Sequence, residues 1–170
     1  VKFQAELETM VGMKPLKEFV RQRVADLTGR GLLREKTKLR HILICGGLGT
    51  GKNLASTTVF ELFKLTGIVK IIKQGVPKSG SIDKDAIFEI DLAKWTDPDE
   101  EKDELLEEIM SVGSIAVLMG PESDVMTTAG MLTCFKRNVP WTIILPSVTH
   151  RDLALITYQM VQERGYILRR

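Results

Sequence analysis

The sequence predicts an α/β fold in which helices cover both faces of a mostly parallel sheet. Short apolar runs alternate with longer segments that carry apolar residues at helical spacing, which is the pattern of βαβ units. Right-handed crossovers between parallel strands then place helices on both faces, giving three layers. The predicted helices are residues 14–28, Lys52–Leu65, Glu101–Val112 and Arg151–Glu163, and the predicted strands are His41–Cys45, Val69–Ile72, Ala86–Asp91, Ser114–Met119 and Thr142–Leu145.

The composition is that of a single folded domain and excludes several classes of protein. The 170 residues are 44% hydrophobic and 27% charged, and no apolar run reaches the roughly 18–20 residues of a membrane span. A net charge of +2 argues against nucleic acid or a membrane as the main partner. The two cysteines, Cys45 and Cys134, lie in apolar stretches, so we expect no disulfide framework and predict the cytoplasm or another reducing compartment.

Charge is distributed unevenly along the chain. Basic residues concentrate in the range 14–40 and acidic residues in the range 97–108. Two interpretations stay open: two solvated helix faces, or complementary surfaces that meet in an oligomer or bind a partner. The segments Gly75–Ser81 and Thr96–Asp99 are built from turn-forming residues and are predicted to be loops.

A glycine-rich segment follows the apolar run His41–Cys45 and leads into a predicted helix. Its spacing, Gly-x-x-x-x-Gly-Lys between strand and helix, is that of a phosphate-binding loop (Walker A). Glycines let backbone N–H groups approach a polyphosphate, and the helix N-terminus and the lysine add positive charge. The alternative is a glycine turn that only joins strand to helix. We predict that ATP or ADP is held by Gly46, Gly47, Leu48, Gly49, Thr50, Gly51, Lys52, Asn53 and Leu54.

The residue after the lysine departs from the motif. Asn53 stands where a Ser or Thr hydroxyl would coordinate the Mg²⁺ that bridges the outer phosphates. An amide oxygen is a possible ligand for a hard cation, but its longer reach would either displace the metal or force a water between the amide and the metal. We therefore expect that binding survives this change better than hydrolysis does.

Hydrolysis also needs an acidic residue at the end of a neighbouring strand, and two strands compete for that place. The run Ala86–Asp91 ends in a carboxylate, but Leu92 follows where a Glu is expected. The run Ser114–Met119 offers no carboxylate until Glu122. Asp91 is thus the candidate metal-shell and catalytic residue, and the alternative is that it caps a turn.

Taken together, these residues resemble an AAA+ ATPase, specifically the branch that contains stage V sporulation protein K and the red-type rubisco activases. The resemblance implies that residues around an early Gly line the adenine pocket, which assigns that role to Val11 and Gly12. It implies an AAA+-like core whose lid is mostly missing, with 151–170 as the start of the lid and the chain as part of a longer protein. The matching segments are Leu7–Lys17, Lys36–Lys52, Ala116–Met126, Thr142–Ser147 and Arg151–Leu168.

The departures from the family pattern all concern hydrolysis. The resemblance implies an arginine finger before a Phe, but Thr133 and Cys134 precede Phe135, and Arg137 lies just beyond it. Arg137 is either a substitute finger or a surface cation. We expect a degenerate module that binds nucleotide and serves as a scaffold or regulatory subunit in a homo- or hetero-oligomer. The alternative is an active ATPase that remodels a protein partner.

Overall fold

A five-stranded parallel sheet organises the described residues, 2–29 and 39–165, of this computed structural model. The strands are β1 (Ile42–Cys45), β2 (Ile71–Gln74), β3 (Ala86–Asp91), β4 (Ile115–Gly120) and β5 (Trp141–Ile144), in the spatial order β2-β3-β4-β1-β5. The helices are α1 (Lys2–Thr9), α2 (Lys14–Gly29), α3 (Lys52–Leu65), α4 (Asp99–Ser111), α5 (Glu122–Met131), α6 (Thr133–Arg137) and α7 (His150–Glu163), and a short 3-10 turn, Leu92–Lys94, follows β3.

Two hydrophobic cores lie on opposite faces of the sheet, because successive strand side chains point to opposite faces. One core joins alternate residues of the strands, such as Ile42 and Ile44, to α2 and α3. The other joins Leu43 and Cys45 to α4, α5 and α6. The predicted three-layer α/β architecture is therefore confirmed.

Most predicted elements are confirmed, and the strand before residue 75 was predicted two residues early. β2 begins at Ile71 instead of Val69. Val69 is buried, and its amide donates to the carbonyl of Phe63 at the end of α3 instead of joining the sheet ladder. The sequence analysis did not assign α1, α5 or α6. In α5 only Val125 is buried, so this helix lacks the apolar stripe from which a helix is predicted in a sequence.

The connection from β2 to β3 carries no helix, although parallel strands are usually joined through one. The predicted loop Gly75–Ser81 is confirmed within it. Glu108 of α4 holds this loop by accepting hydrogen bonds from the Ser79 hydroxyl at 2.7 Å and the Gly80 amide at 2.6 Å. The second predicted loop, Thr96–Asp99, ends one residue early because Asp99 already begins α4.

Several charged side chains on the described surface form ion pairs within the chain. Arg21 of α2 meets Glu8 of α1 at 2.6 Å, and Arg137 meets Glu107 at 3.3 Å. Part of the basic stretch, residues 30–38, and the end of the segment matched to the lid, residues 166–170, lie outside the described residues. In the ranges that the structure covers, no helix is both long and apolar enough to cross a membrane.

Candidate functional site

The glycine-rich loop lies at the carboxyl edge of the sheet, between β1 and α3. Its first residue continues the strand pairing, since the Gly46 amide donates to the carbonyl of Gly120 at 3.0 Å. Gly49 and Gly51 have φ of 71° and 87°, a left-handed conformation that side chains other than hydrogen disfavour. Gly51 is the N-cap of α3, so the helix starts at Lys52. The loop thus delivers a helix N-terminus to the edge where ligands bind in open α/β sheets.

The glycines of the loop differ in how closely other atoms pack around them. A Cβ on Gly46 would lie 2.3 Å from Thr50 Oγ1, so only glycine fits there. A Cβ on Gly47 or Gly49 would meet no atom within 4 Å. The loop is therefore packed against Thr50 and Leu145 at Gly46, and its backbone is uncovered at the other two glycines.

The side chain of Lys52 folds over the loop. Its Nζ donates to the carbonyl oxygens of Gly46 at 2.9 Å and Gly47 at 2.6 Å. Thr50 Oγ1 donates to the same Gly47 carbonyl at 2.8 Å. The ammonium group is consequently held at the loop itself, where a terminal phosphate could replace the carbonyls as its partner. Leu48 and Leu54, also assigned to the site, are exposed.

The predicted adenine-pocket residues lie in the turn between α1 and α2, and this turn reaches the loop. Met13, directly after Gly12, packs its side chain against Gly51: a Cβ on Gly51 would lie 3.2 Å from Met13 Cε. Gly12 approaches the start of α7, since its own Cβ would be 4.0 Å from the Asp152 carboxyl. Val11 is half-buried in the same turn. The structure therefore brings together the turn, the loop and α7.

Asp91 ends β3 on the face of the sheet that carries α3, because it alternates with Ile87, which packs in the core beneath α3. In the sheet register it lies opposite Met119, which in turn pairs with Ile44 near the loop. Its Oδ1 accepts the Ala93 amide at 3.0 Å and caps the turn that follows. The capping alternative is confirmed, and the role in a metal shell stays a prediction. Among the described residues no three His, Cys, Asp or Glu side chains form a metal cluster.

A second acidic residue of β3 was not singled out by the sequence analysis. Glu89 is buried, and its Oε1 accepts the hydroxyl of Ser56, one turn into α3, at 2.7 Å. Its Oε2 accepts the side-chain amide of Gln74 on β2. A signal for it was present, because Glu89 is a charged residue inside the apolar strand and shares its face with Asp91.

Arg137 lies at the C-terminal end of α6 and pairs with Glu107 of α4. It lines a cavity of about 350 Å³ together with His41 and Cys134. His41 immediately precedes β1, so this cavity is at the amino edge of the sheet, opposite the loop. Within this chain Arg137 and the glycine-rich loop are therefore not brought together.

His41, a buried polar residue at that edge, has a backbone hydrogen-bond partner at each ring nitrogen. Its Nδ1 accepts the Ala116 amide at 2.9 Å, and Nε2 lies 2.9 Å from the carbonyl oxygen of Leu106. Burial lowers the pKa of His41 to about 4. The neutral ring with a proton on Nε2 satisfies both partners. Both cysteines are free and buried, and burial raises the pKa of Cys45 to about 11.

The parallel sheet with helices on both faces and the glycine-rich loop after β1 define a core of the P-loop NTPase fold. The sequence matches no protein-family model, and no curated protein matches it. The structure is similar to that of an Arg-to-Ala variant of RuvB from Thermotoga maritima, with a TM-score of 0.57 and 15% identity over 94% of this chain. RuvB is an AAA+ ATPase, so the likeness supports an AAA+ fold. The chain spans 53% of the length of that RuvB chain.

Proposed function

We propose that this chain is a nucleotide-binding module of the AAA+ type that takes ATP or ADP on residues 46–54 and hydrolyses it poorly. The observation that carries the proposal is the position of Lys52, whose ammonium lies on the carbonyls of Gly46 and Gly47 at the start of α3. The backbone at Gly47 and Gly49 is uncovered, since a Cβ on either residue would meet no atom within 4 Å. Backbone N–H groups of the loop and the first turn of α3 would bind the phosphates.

The adenine would lie beside the turn that holds Val11 and Gly12. This turn contacts the loop through Met13 and approaches α7 at Asp152. A site lined by three separate segments favours a ligand larger than a free phosphate. The resemblance of the sequence to the branch with stage V sporulation protein K assigns Val11 and Gly12 to the adenine pocket. Membership of that branch stays a proposal.

A metal ion would be held between Asn53 and Asp91. Asn53 lies three residues before Ser56 on α3, and Asp91 lies two residues after Glu89 on β3. Residues three apart on a helix and two apart on a strand share a face, so the Ser56–Glu89 contact aligns Asn53 with Asp91 nearer the loop. An amide and a carboxylate are acceptable oxygen ligands for Mg²⁺. The metal would neutralise charge on the outer phosphates.

Slow hydrolysis is favoured by the arrangement of the acidic residues. One oxygen of Asp91 already accepts the Ala93 amide, and Leu92 begins a 3-10 turn where a water-orienting Glu is expected. Glu89 is held by Ser56 and Gln74 below the loop. Arg137 lies at the far edge of the sheet from the loop of its own chain, and as a finger it would act on the loop of a neighbouring subunit. We propose that such a module serves as a scaffold or regulatory subunit in a homo- or hetero-oligomer.

Nucleotide binding is tested by thermal unfolding and calorimetry with ATP and ADP. Ligand at about 100 times its Kd adds about 2.7 kcal/mol to the free energy of unfolding. We expect this gain for the natural sequence and for Lys64→Ala, a control at the exposed end of the same helix, and its loss in Lys52→Ala. Equal binding by Lys52→Ala, or no binding by the natural sequence, would overturn the proposal.

The second candidate, an active ATPase that remodels a partner, is favoured by one observation: Asp91 ends β3 on the α3 face. Phosphate release separates the two candidates. A turnover of ~1 per minute or more, within reach of P-loop enzymes that have a complete site, and abolished in Lys52→Ala, would establish the active enzyme. Turnover well below that rate, with binding intact, supports the degenerate module.

A further inference from the structure

Met13 has a backbone conformation that its side chain disfavours. Its φ of 57° is left-handed, a region where residues with a Cβ are strained and which long side chains rarely enter. Such strain persists where surrounding structure enforces it, and it concentrates at functional sites. Asp85 is the other residue with a positive φ among the described residues that are not glycine.

The turn that contains Met13 is held from both sides. The Met13 carbonyl accepts the amide of Lys17 at 3.0 Å, as the first bond of α2. The ammonium of Lys17 donates to the carbonyl of Met10 at 2.6 Å and to that of Glu8 at 3.3 Å, which closes the end of α1. These bonds fix the path of the backbone through Gly12 and Met13, and so they fix the point from which the Met13 side chain extends.

The thioether points at the phosphate-binding loop. A Cβ on Gly51 would lie 3.2 Å from Met13 Cε and 3.5 Å from Sδ. Gly51 is itself left-handed and caps α3 with no side-chain hydrogen bond. Its carbonyl accepts the Ala55 amide at 2.9 Å. Two residues with left-handed backbone conformations, from distant parts of the sequence, are therefore in contact. The Met13 side chain packs on Gly51, the N-cap residue whose conformation orients the first backbone amides of α3.

From this contact we infer that Met13 is a positioning residue for the phosphate-binding loop, an inference that rests on the proposed nucleotide binding. Met13 holds Gly51 in the conformation that aims the N–H groups of Gly51 and Lys52 at a polyphosphate. It acts on the phosphates through Gly51 and contributes no charge or hydrogen bond of its own. Its effect is therefore the same for any ligand that carries the polyphosphate, with or without a base.

The test compares inorganic tripolyphosphate with ATP. Met13→Ala removes the thioether, and Met13→Gly removes both the thioether and the cost of the left-handed φ. Met10→Ala, in the same turn, is the matched control. We expect both Met13 variants to bind tripolyphosphate and ATP about tenfold more weakly, by the same factor for each ligand. The affinity of Met10→Ala should remain that of the natural sequence.

Other binding results for the variants would overturn the inference, the proposed function, or both. If the natural sequence binds tripolyphosphate and both Met13 variants bind it equally well, the inference is overturned and nucleotide binding stands. If the variants lose affinity for ATP alone, Met13 acts at the base, and the inference is again overturned. If Met10→Ala loses as much affinity as Met13→Ala, the effect belongs to the turn as a whole and the inference is overturned. If the natural sequence binds neither ligand, the proposed function fails and the inference fails with it. The melting temperature of each variant confirms that folded protein is compared.

Discussion

The hydroxyl of Ser56 donates a 2.7 Å hydrogen bond to Glu89, and both side chains are buried. The bond joins α3, which begins at the glycine-rich loop, to the central region of β3. Since Gln74 of β2 donates to the other oxygen of the same carboxylate, Glu89 ties two strands and the helix together. It fixes the alignment of α3 over β3, and with it the placement of Asn53 relative to Asp91.

Removing the Ser56 hydroxyl should destabilise the protein. Ser56→Ala leaves a buried carboxylate oxygen without this donor, and such a loss costs about 1–3 kcal/mol in the free energy of unfolding. Thr57→Ala is the control, because the Thr57 hydroxyl is exposed and bonds only locally to the Asn53 carbonyl at 3.0 Å. Urea unfolding measures both. Equal losses in the two variants would contradict the structural role assigned to the Ser56–Glu89 bond.

Two adjacent glycines of the loop should respond differently to a methyl group. Gly46→Ala forces a Cβ to within 2.3 Å of Thr50 Oγ1 and 3.3 Å of Leu145 Cβ, and overpacking of this kind costs about 1–3 kcal/mol. Gly47→Ala meets no atom within 4 Å and should change the free energy of unfolding by less than about 0.5 kcal/mol. Denaturant titrations of the pair check this. A larger effect at Gly47 than at Gly46 would mean that the loop has a different conformation.

The stability of the protein should fall in mild acid because of His41. Its pKa is about 4 in the folded protein and about 6.5 in the unfolded chain. Between these values the unfolded chain binds the proton and the folded protein does not. Stability therefore falls as the pH is lowered from about 6.5 to about 4, by about 1.4 kcal/mol per pH unit, and this contribution levels off below pH 4.

The pH dependence is measured by urea unfolding at a series of pH values. His41→Gln cannot take up the proton, so its free energy of unfolding should lack this component in the same range. His150→Gln, at the first residue of α7, is the matched control and should keep it. A natural protein with a flat profile between pH 6.5 and 4 would show that the His41 ring is accessible to protonation in the fold.

Restoring a hydroxyl after the loop lysine should strengthen metal-dependent binding. Asn53→Thr places the side chain that P-loop NTPases use for Mg²⁺ at the first turn of α3. We expect tighter ATP binding in the presence of Mg²⁺ and unchanged binding with a chelator. Calorimetric titration under both conditions checks this. An affinity that Mg²⁺ leaves unchanged in the variant would mean that the metal is not held at position 53.

Helices and strands with a clear local pattern of apolar residues were predicted correctly from the sequence. The strand Ala86–Asp91 and the helix Lys52–Leu65 were predicted with the observed bounds, because an apolar run and a helical stripe report burial on known faces. Helix α5 was not assigned, since its sequence carries little of that stripe. Helix α1 was not assigned either, although its Leu7 is buried against α2 and the sheet.

The sequence by itself determined the α/β alternation and the glycine-rich loop between β1 and α3, because both depend on the spacing of residues near one another in the chain. Only the tertiary structure decided that Glu89 meets Ser56, that Met13 lies on Gly51, and that Arg137 is far from the loop of its own chain. Those contacts join residues that are separated along the sequence. They follow from the strand order, the strand register and the path of the turn between α1 and α2. Packing of the whole chain sets these features, and no local sequence pattern encodes them.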